Sequence, residues 1–251
     1  MSRYARLLLI LLATAHPASA VDEMALLPDG MYTPMYVDKT EKRDNQPIAV
    51  GAFWLARVPV TNRQFLAFVS AHPEWNKSGL REVFADSHYL QHWSGDTVVD
   101  QRELDSPVVN VSWFAAAAFC ESRGERLPTT DEWEYALADN GRDADRVQQS
   151  VMAWYAVPND TLPAVGRQGA NGFGISDLSG LIWEWTGDFN SFMASSDPRD
   201  SGQKSMFCGG GSLDAANPRD YAAFMRYSYR GSLQGAFTGK NLGFRCAKDI
   251  Q

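Results

Sequence analysis

From about residue 150 onward the chain rarely runs more than a few positions without Gly, Asn, Pro, Ser or Asp. The apolar stretches between them, such as Leu181 to Trp185 and Met206 to Cys208, are short. No long helix or strand can be built from such a segment; it suits short strands and ordered loops. A loop-rich domain must draw its buried apolar area from something other than regular elements. Eight tryptophans within a 12% aromatic content can supply it, because each large aromatic ring buries roughly 150–250 Å².

The first half reads differently. Thr61 caps a helix from Asn62 to Ala71, with Phe65, Leu66, Phe68 and Val69 on one stripe and Pro73 past its end. Ser112 caps a second from Trp113 to Arg123, where the Ala115–Ala118 run favours close packing and Gly124 takes the stop position. Thr129-Thr130-Asp131-Glu132 is a capping-box pattern opening a third, which runs through Trp133, Tyr135 and Leu137 towards Gly141. The tight connector Arg123 to Pro128 makes the second and third helices neighbours. Residues 21–50, with Pro28, Gly30, Pro34 and Pro47, read as an irregular start and an early strand. No repeat, linker or low-complexity tract interrupts the chain. One α+β domain is expected over 21–251.

Ahead of it, Arg3 and Arg6 precede the apolar run Leu7 to Ala15, followed by Ala18-Ser19-Ala20. This is the pattern of a secretory signal peptide over 1–20, and the run is too short to span a bilayer. Export to the periplasm is expected, with no stable membrane insertion. The net charge is −7, which argues against a nucleic-acid partner, since phosphate binding needs clustered Lys and Arg. In an oxidising compartment two of the three cysteines, Cys120, Cys208 and Cys246, can pair. Spacing alone does not choose which.

Candidate chemistry is sparse. His88 and His92 lie four apart, the spacing of two metal ligands on one helix face, but flanking aromatics equally suit packing. Met24, Met31 and Met35 are soft ligands for Cu(I) or plain gap fillers. Cys208 runs into Gly209-Gly210-Gly211-Ser212 as an inert small hydrophobe or a redox or metal thiol, and is the one candidate catalytic residue. Glu184 sits between Trp183 and Trp185, where a carboxylate must be compensated. Calcium is one candidate and an arginine the other, with Arg226, Arg230 and Arg245 available and Asp177 and Asp188 able to join the network. Neither a P-loop nor G-x-G-x-x-G occurs, so no nucleotide cofactor is expected.

Six segments in order resemble the formylglycine-generating enzyme, or sulfatase-modifying factor, family. They are Pro59-Val60-Thr61-Asn62 with Gln64-Phe65; Pro107 to Trp113; Arg126-Leu127-Pro128-Thr129 with Glu132-Trp133-Glu134-Tyr135; Trp183-Glu184-Trp185-Thr186; Gly210-Gly211-Ser212; and Asn241 to Cys246. The resemblance implies a C-type-lectin-like α+β fold and a disulfide between Cys120 and Cys246. It places Trp185, Ser212 and Asn241 in a substrate cleft, with Arg226 and Arg230 in the same C-terminal stretch. It also implies oxidation of a substrate cysteine with O2 and copper by two cysteines after the Gly-Gly-Ser turn.

There the chain departs: from Gly209 to Arg245 it has no cysteine, and Ala215 and Ala222 stand near the two positions. A thiolate copper site cannot be built from alanines, so copper or iron lacks its usual ligands. Gly180-Leu181 replaces the usual Gly-Asn before the Trp-Glu-Trp loop, which weakens one inherited calcium site although Glu184 remains. Within the family, the resemblance is greatest to exported, cysteine-poor branches of the NirV type, found with copper nitrite reductase, and the PvdO type. The expected function is an accessory or maturation protein binding a partner protein or peptide in its cleft. A cysteine-independent periplasmic oxidoreductase and a lectin-like module without chemistry are the competing classes.

Overall fold

The computed structural model describes residues 23–33, 46–139, 162–188 and 234–250. Three helices form where their caps place them: α1 (Asn62–Ala71), α2 (Trp113–Ser122) and α3 (Thr130–Ala138). Thr61 and Gln64 cap α1 reciprocally, as Thr129 and Glu132 cap α3, while Ser112 Oγ accepts from the Ala115 N–H on α2. Helix α2 ends one residue earlier than expected, at Ser122, and Gly124 follows in the left-handed region at φ 68°. Helix α3 stops at Ala138, because Asp139 already turns left-handed with φ 46°; Gly141 lies outside the described residues.

The strands are short: β1 (Met24–Leu27), β2 (Gly30–Tyr32), β3 (Ile48–Val50), β4 (Phe53–Ala56), β5 (Trp183–Glu184), β6 (Leu242–Gly243) and β7 (Ala247–Asp249). The early segment thus holds more strand than its prolines suggested. Strand β4 lies between β1 and β7, antiparallel to both, so the chain end closes back onto its beginning. Strands β2 and β3 form an antiparallel pair, and β5 runs parallel to β6. The architecture is mixed α+β.

Two cores result. The larger packs α1 and α2 around Phe65, whose ring lies 5.4–6.2 Å from those of Phe68, Trp93, Phe119 and Phe244. The second packs Trp133, Tyr135 and Leu137 of α3 against Leu27, Phe53 and Leu55. Cys120 in α2 is bonded to Cys246, just ahead of β7, closing a separation of 126 residues. This bond ties the larger core to the sheet that covers the smaller one. Gly243 is required where β6 crosses Val108, since a Cβ there would run into the Val108 carbonyl oxygen.

Candidate functional site

The Trp-Glu-Trp loop is built around a buried ion pair. Arg245 Nε and Nη2 donate to Glu184 Oε2 and Oε1 at 2.7 and 2.8 Å, with the two side chains 0% and 1% exposed. Trp133 Nε1 donates to Glu184 Oε2 at 2.9 Å, and the guanidinium also reaches the carbonyls of Ala56 and Ser176. The partner that neutralises Glu184 is therefore a guanidinium. The acid lies in the core, where a fork of N–H donors covers it. Asp177 lies nearby at φ 63°, its carboxylate accepting from the N–H groups of Gly166 and Gln168. Burial raises its pKa, while those hydrogen bonds and Arg245 oppose the shift.

The indole of Trp185 corrects its expected role as a cleft wall: it is 1% exposed and its Nε1 donates to the Val111 carbonyl at 2.9 Å. What the structure brings together instead is a set of hydrogen-bonded loops around β5, β6 and the start of α2. The Trp183 N–H donates to the Asn241 carbonyl at 2.8 Å, leaving Asn241 half-buried at the head of β6. Trp113, half-buried at the start of α2, donates from Nε1 to the Thr186 carbonyl and from its backbone to Gly235. Asp188 anchors the loop after β5 by accepting from the N–H and Oγ1 of Thr130, in the first turn of α3, where a carboxylate complements the helix dipole. Ser212, Arg226, Arg230 and Cys208 lie outside the described residues.

Two features that anchor the loops around this region were not legible in the sequence. Asp86 grips Thr238 by accepting from its N–H and its hydroxyl. Burial acts to raise its pKa, but the bonds from Thr238 and the His88 N–H hold it below the usual carboxylate value. Asn62, 1% exposed, donates from Nδ2 to the Glu103, Ser106 and Pro107 carbonyls and accepts at Oδ1 from Trp93 Nε1. His92 Nε2 completes the group at 3.0 Å. Since Asn62 Oδ1 can only accept, His92 is the Nε2–H tautomer. Burial first, and Lys77 second, depress its pKa to about 4.

The two histidines do not converge. Residues 86–93 form turns instead of a helix, so the four-residue spacing loses its one-face meaning; His88 is exposed beside Asp86 while His92 turns inward. Met24 is buried in β1 and Met31 is 60% exposed in β2, in different sheets; Met35 lies outside the described residues. Among the described residues no three of His, Cys, Asp and Glu are grouped to hold a metal. With Cys120 and Cys246 bonded to each other and no cysteine between Gly209 and Arg245, the residues do not fit a two-thiolate copper centre.

A disulfide-closed α+β fold with a buried ion pair in its Trp-Glu-Trp loop defines the class of protein. The chain belongs to the sulfatase-modifying factor family: the model of the sulfatase-modifying factor enzyme 1-like domain matches residues 12–250. The formylglycine-generating enzyme of Bos taurus is 24% identical over 282 residues, covering 90% of this chain and 75% of that protein. The inactive C-alpha-formylglycine-generating enzyme 2 of Mus musculus is 29% identical over 272 residues, covering 89% and 85%. The serine/threonine-protein kinase pkn1 of Chlamydia caviae is 28% identical over 189 residues, 70% of this chain but 29% of that protein. The chain thus spans under a third of that relative's length. Among solved structures, Treponema denticola variable protein 1 shares the fold at a TM-score of 0.52 and 18% identity, covering 90% of this chain and 95% of that one. Among the described residues no helix is long and apolar enough to cross a membrane; the expected signal peptide lies outside them.

Proposed function

We propose that this chain is an exported accessory or maturation protein that holds an extended segment of a partner protein in the family's cleft and does not make formylglycine. The observation that carries this reading is the missing cysteine pair in a chain that otherwise keeps the family's scaffold. Alanines at 215 and 222 supply neither thiolate nor redox chemistry. The mouse relative named as inactive, with similar coverage, is a precedent for the scaffold outliving the reaction. Half-buried Asn241, Trp183 and Trp113 offer aromatic area and polar groups suited to an extended chain. Ser212, Arg226 and Arg230 would complete that groove. Export rests on Arg3, Arg6, the run Leu7 to Ala15 and Ala18-Ser19-Ala20. The sequence likeness to the NirV type makes copper nitrite reductase the partner to test first.

The bonding of Cys120 to Cys246 leaves Cys208 as the remaining thiol, which favours a redox role as the second reading. One experiment separates the two. The mature protein is incubated with copper, O2 and a cysteine-containing sulfatase-type peptide, and partner proteins from strains with and without the gene are weighed by mass spectrometry. No peptide conversion, and a bound partner of unchanged mass whose capture Asn241→Ala weakens, is the expected result. A partner mass that changes only when the gene is present, and reverts in Cys208→Ser, replaces the accessory reading with an oxidoreductase.

A further inference from the structure

A row of aromatic rings lies at the surface beside the start of α2. The ring centroids of Trp75 and Phe84 are 5.8 Å apart, those of Phe84 and Phe114 5.5 Å, and those of Phe114 and Trp113 5.5 Å. All four side chains are half-buried. Val83, next to Phe84, is 67% exposed, and Phe237, on the turn whose Gly235 lies against the Phe114 ring, is 38% exposed. The row is held from behind by hydrogen bonds that need no ligand. The Tyr89 hydroxyl donates to the Trp75 carbonyl at 2.9 Å, the Asp86 N–H to the Ala236 carbonyl at 2.8 Å, and the Trp113 N–H to the Gly235 carbonyl at 3.0 Å. A surface built in this way binds without first ordering itself.

At one end Arg81 folds back over Phe84. The Phe84 N–H donates to the Arg81 carbonyl at 2.9 Å, closing a turn that sets the guanidinium carbon 4.9 Å from the ring centre. Arg63, Arg102, Arg123, Arg126 and Arg245 are each paired with a carboxylate. Among the described residues Arg81 forms no such pair, although exposed Glu82 follows it in the chain. In a chain with 30 acidic against 23 basic residues, an exposed guanidinium without an acid stands out. Stacking on the ring occupies its flat face and leaves its N–H edge for a carboxylate. At the other end the Trp113 indole donates to the Thr186 carbonyl, so the row runs up to the loop after β5, where the groove proposed above lies.

We propose that this aromatic row docks an extended segment of a partner protein whose alternate side chains are apolar and whose residue at Arg81 is Asp or Glu. The inference rests on the accessory-protein reading and names the kind of segment held. The steps between neighbouring rings are close to the roughly 6.6 Å between alternate side chains of an extended chain, which rises about 3.3 Å per residue. Neighbouring rings are inclined by 47°, 68° and 85°. The row therefore presents notches between ring edges and faces, not the flat platform on which sugar rings stack, and this favours a peptide over an oligosaccharide. The acid on the partner matches the charge of Arg81 and fixes which end of the segment lies at Trp113.

The test pans a phage-displayed library of random peptides on the mature wild type and on Arg81→Glu, and measures the selected peptide against Phe84→Ser and Asn241→Ala. The wild type is expected to enrich peptides with an Asp or Glu beside alternating apolar residues. Arg81→Glu should bind the selected peptide at least about tenfold more weakly and select Lys or Arg in place of the acid, and Phe84→Ser should weaken binding as well. If Phe84→Ser lowers the melting midpoint, Val83→Asp at the exposed neighbouring position takes its place. Enrichment without an acid, or with the same acid preference in Arg81→Glu, overturns the proposal. So does binding of an oligosaccharide from a glycan array that Phe84→Ser abolishes. A selected peptide that Asn241→Ala weakens but Arg81→Glu and Phe84→Ser do not overturns the aromatic row and leaves the accessory reading standing. No enrichment by the wild type also overturns the row, and the accessory reading then stands or falls on partner capture and partner mass alone.

Discussion

Replacing Arg245 with Met tests the central electrostatic argument of the fold. The wild-type guanidinium saturates one face of Glu184 and satisfies the Ala56 and Ser176 carbonyls, with neither charged side chain more than 1% exposed. Methionine fills much of the same volume but donates nothing. Both Glu184 oxygens then lose a guanidinium donor, only Oε2 keeping the Trp133 indole, and the Ala56, Arg57 and Ser176 carbonyls each lose a hydrogen bond from Arg245. Breaking one side of a buried pair typically costs about 3–5 kcal/mol. For a chain of this size each kcal/mol lowers the melting midpoint by roughly 2–4 °C, so a fall of roughly 6–20 °C is expected. Urea unfolding followed by tryptophan fluorescence measures the free energy directly. The double variant Glu184→Met/Arg245→Met should lose much less than the sum of the single variants, because an unpaired buried charge no longer remains. A loss below about 1 kcal/mol in Arg245→Met, or additive losses in the double variant, would refute the reasoning.

Three further outcomes are expected. Reduction of Cys120–Cys246, or the double serine variant, should cost about 2–5 kcal/mol for so long a closed loop; an unchanged urea midpoint under reductant contradicts it. Because the fold holds His92 neutral with its pKa depressed to about 4, the unfolded chain takes up the proton first, near pH 6.5. Stability is full above that pH and declines as pH falls towards 4, by about 3 kcal/mol in all. His92→Gln, which can still donate to Asn62, should flatten that slope, and an identical acid profile in the variant counts against the assignment. Gly243→Ala should lower stability by about 3 kcal/mol or more through collision with the Val108 carbonyl, read as a melting shift; a neutral result would show that β6 can move away.

The helices were legible because their determinants are local: Thr61, Ser112 and Thr129 accept N–H bonds within three residues of themselves. The sheets were not, because β4 finds partners at opposite ends of the chain and each strand is only two to four residues long. Glu184 was recognisable as an acid needing a partner, yet only tertiary structure picks out Arg245, 61 residues away, among the three arginines on offer. The position of Trp185 was misjudged for a related reason, since an indole in a loop-rich fold serves as core where no regular element is available. Asn62 stood out only as part of the Pro-Val-Thr-Asn segment, and its role was hidden because it depends on carbonyls more than 40 residues downstream.

A common thread connects these cases. The Pro-Val-Thr-Asn segment supplies the cap and the Asn62 junction, and Arg126-Leu127-Pro128-Thr129 with Glu132 supplies the second capping box and the Arg126–Glu132 bridge. Trp-Glu-Trp supplies the buried acid, and Asn-Leu-Gly-Phe-Arg-Cys supplies the close crossing at Gly243, the guanidinium and the disulfide. Nearly every described residue that marks the family is therefore engaged in holding the fold, and their presence follows from the demands of packing a loop-rich chain. The same motifs would persist in a member that oxidises cysteine and in one that only binds. What distinguishes the two is the short stretch after the Gly-Gly-Ser turn, where this chain has alanine in place of thiol. Membership fixes the scaffold, and the proposal that this chain holds a partner without oxidising it rests on those alanines.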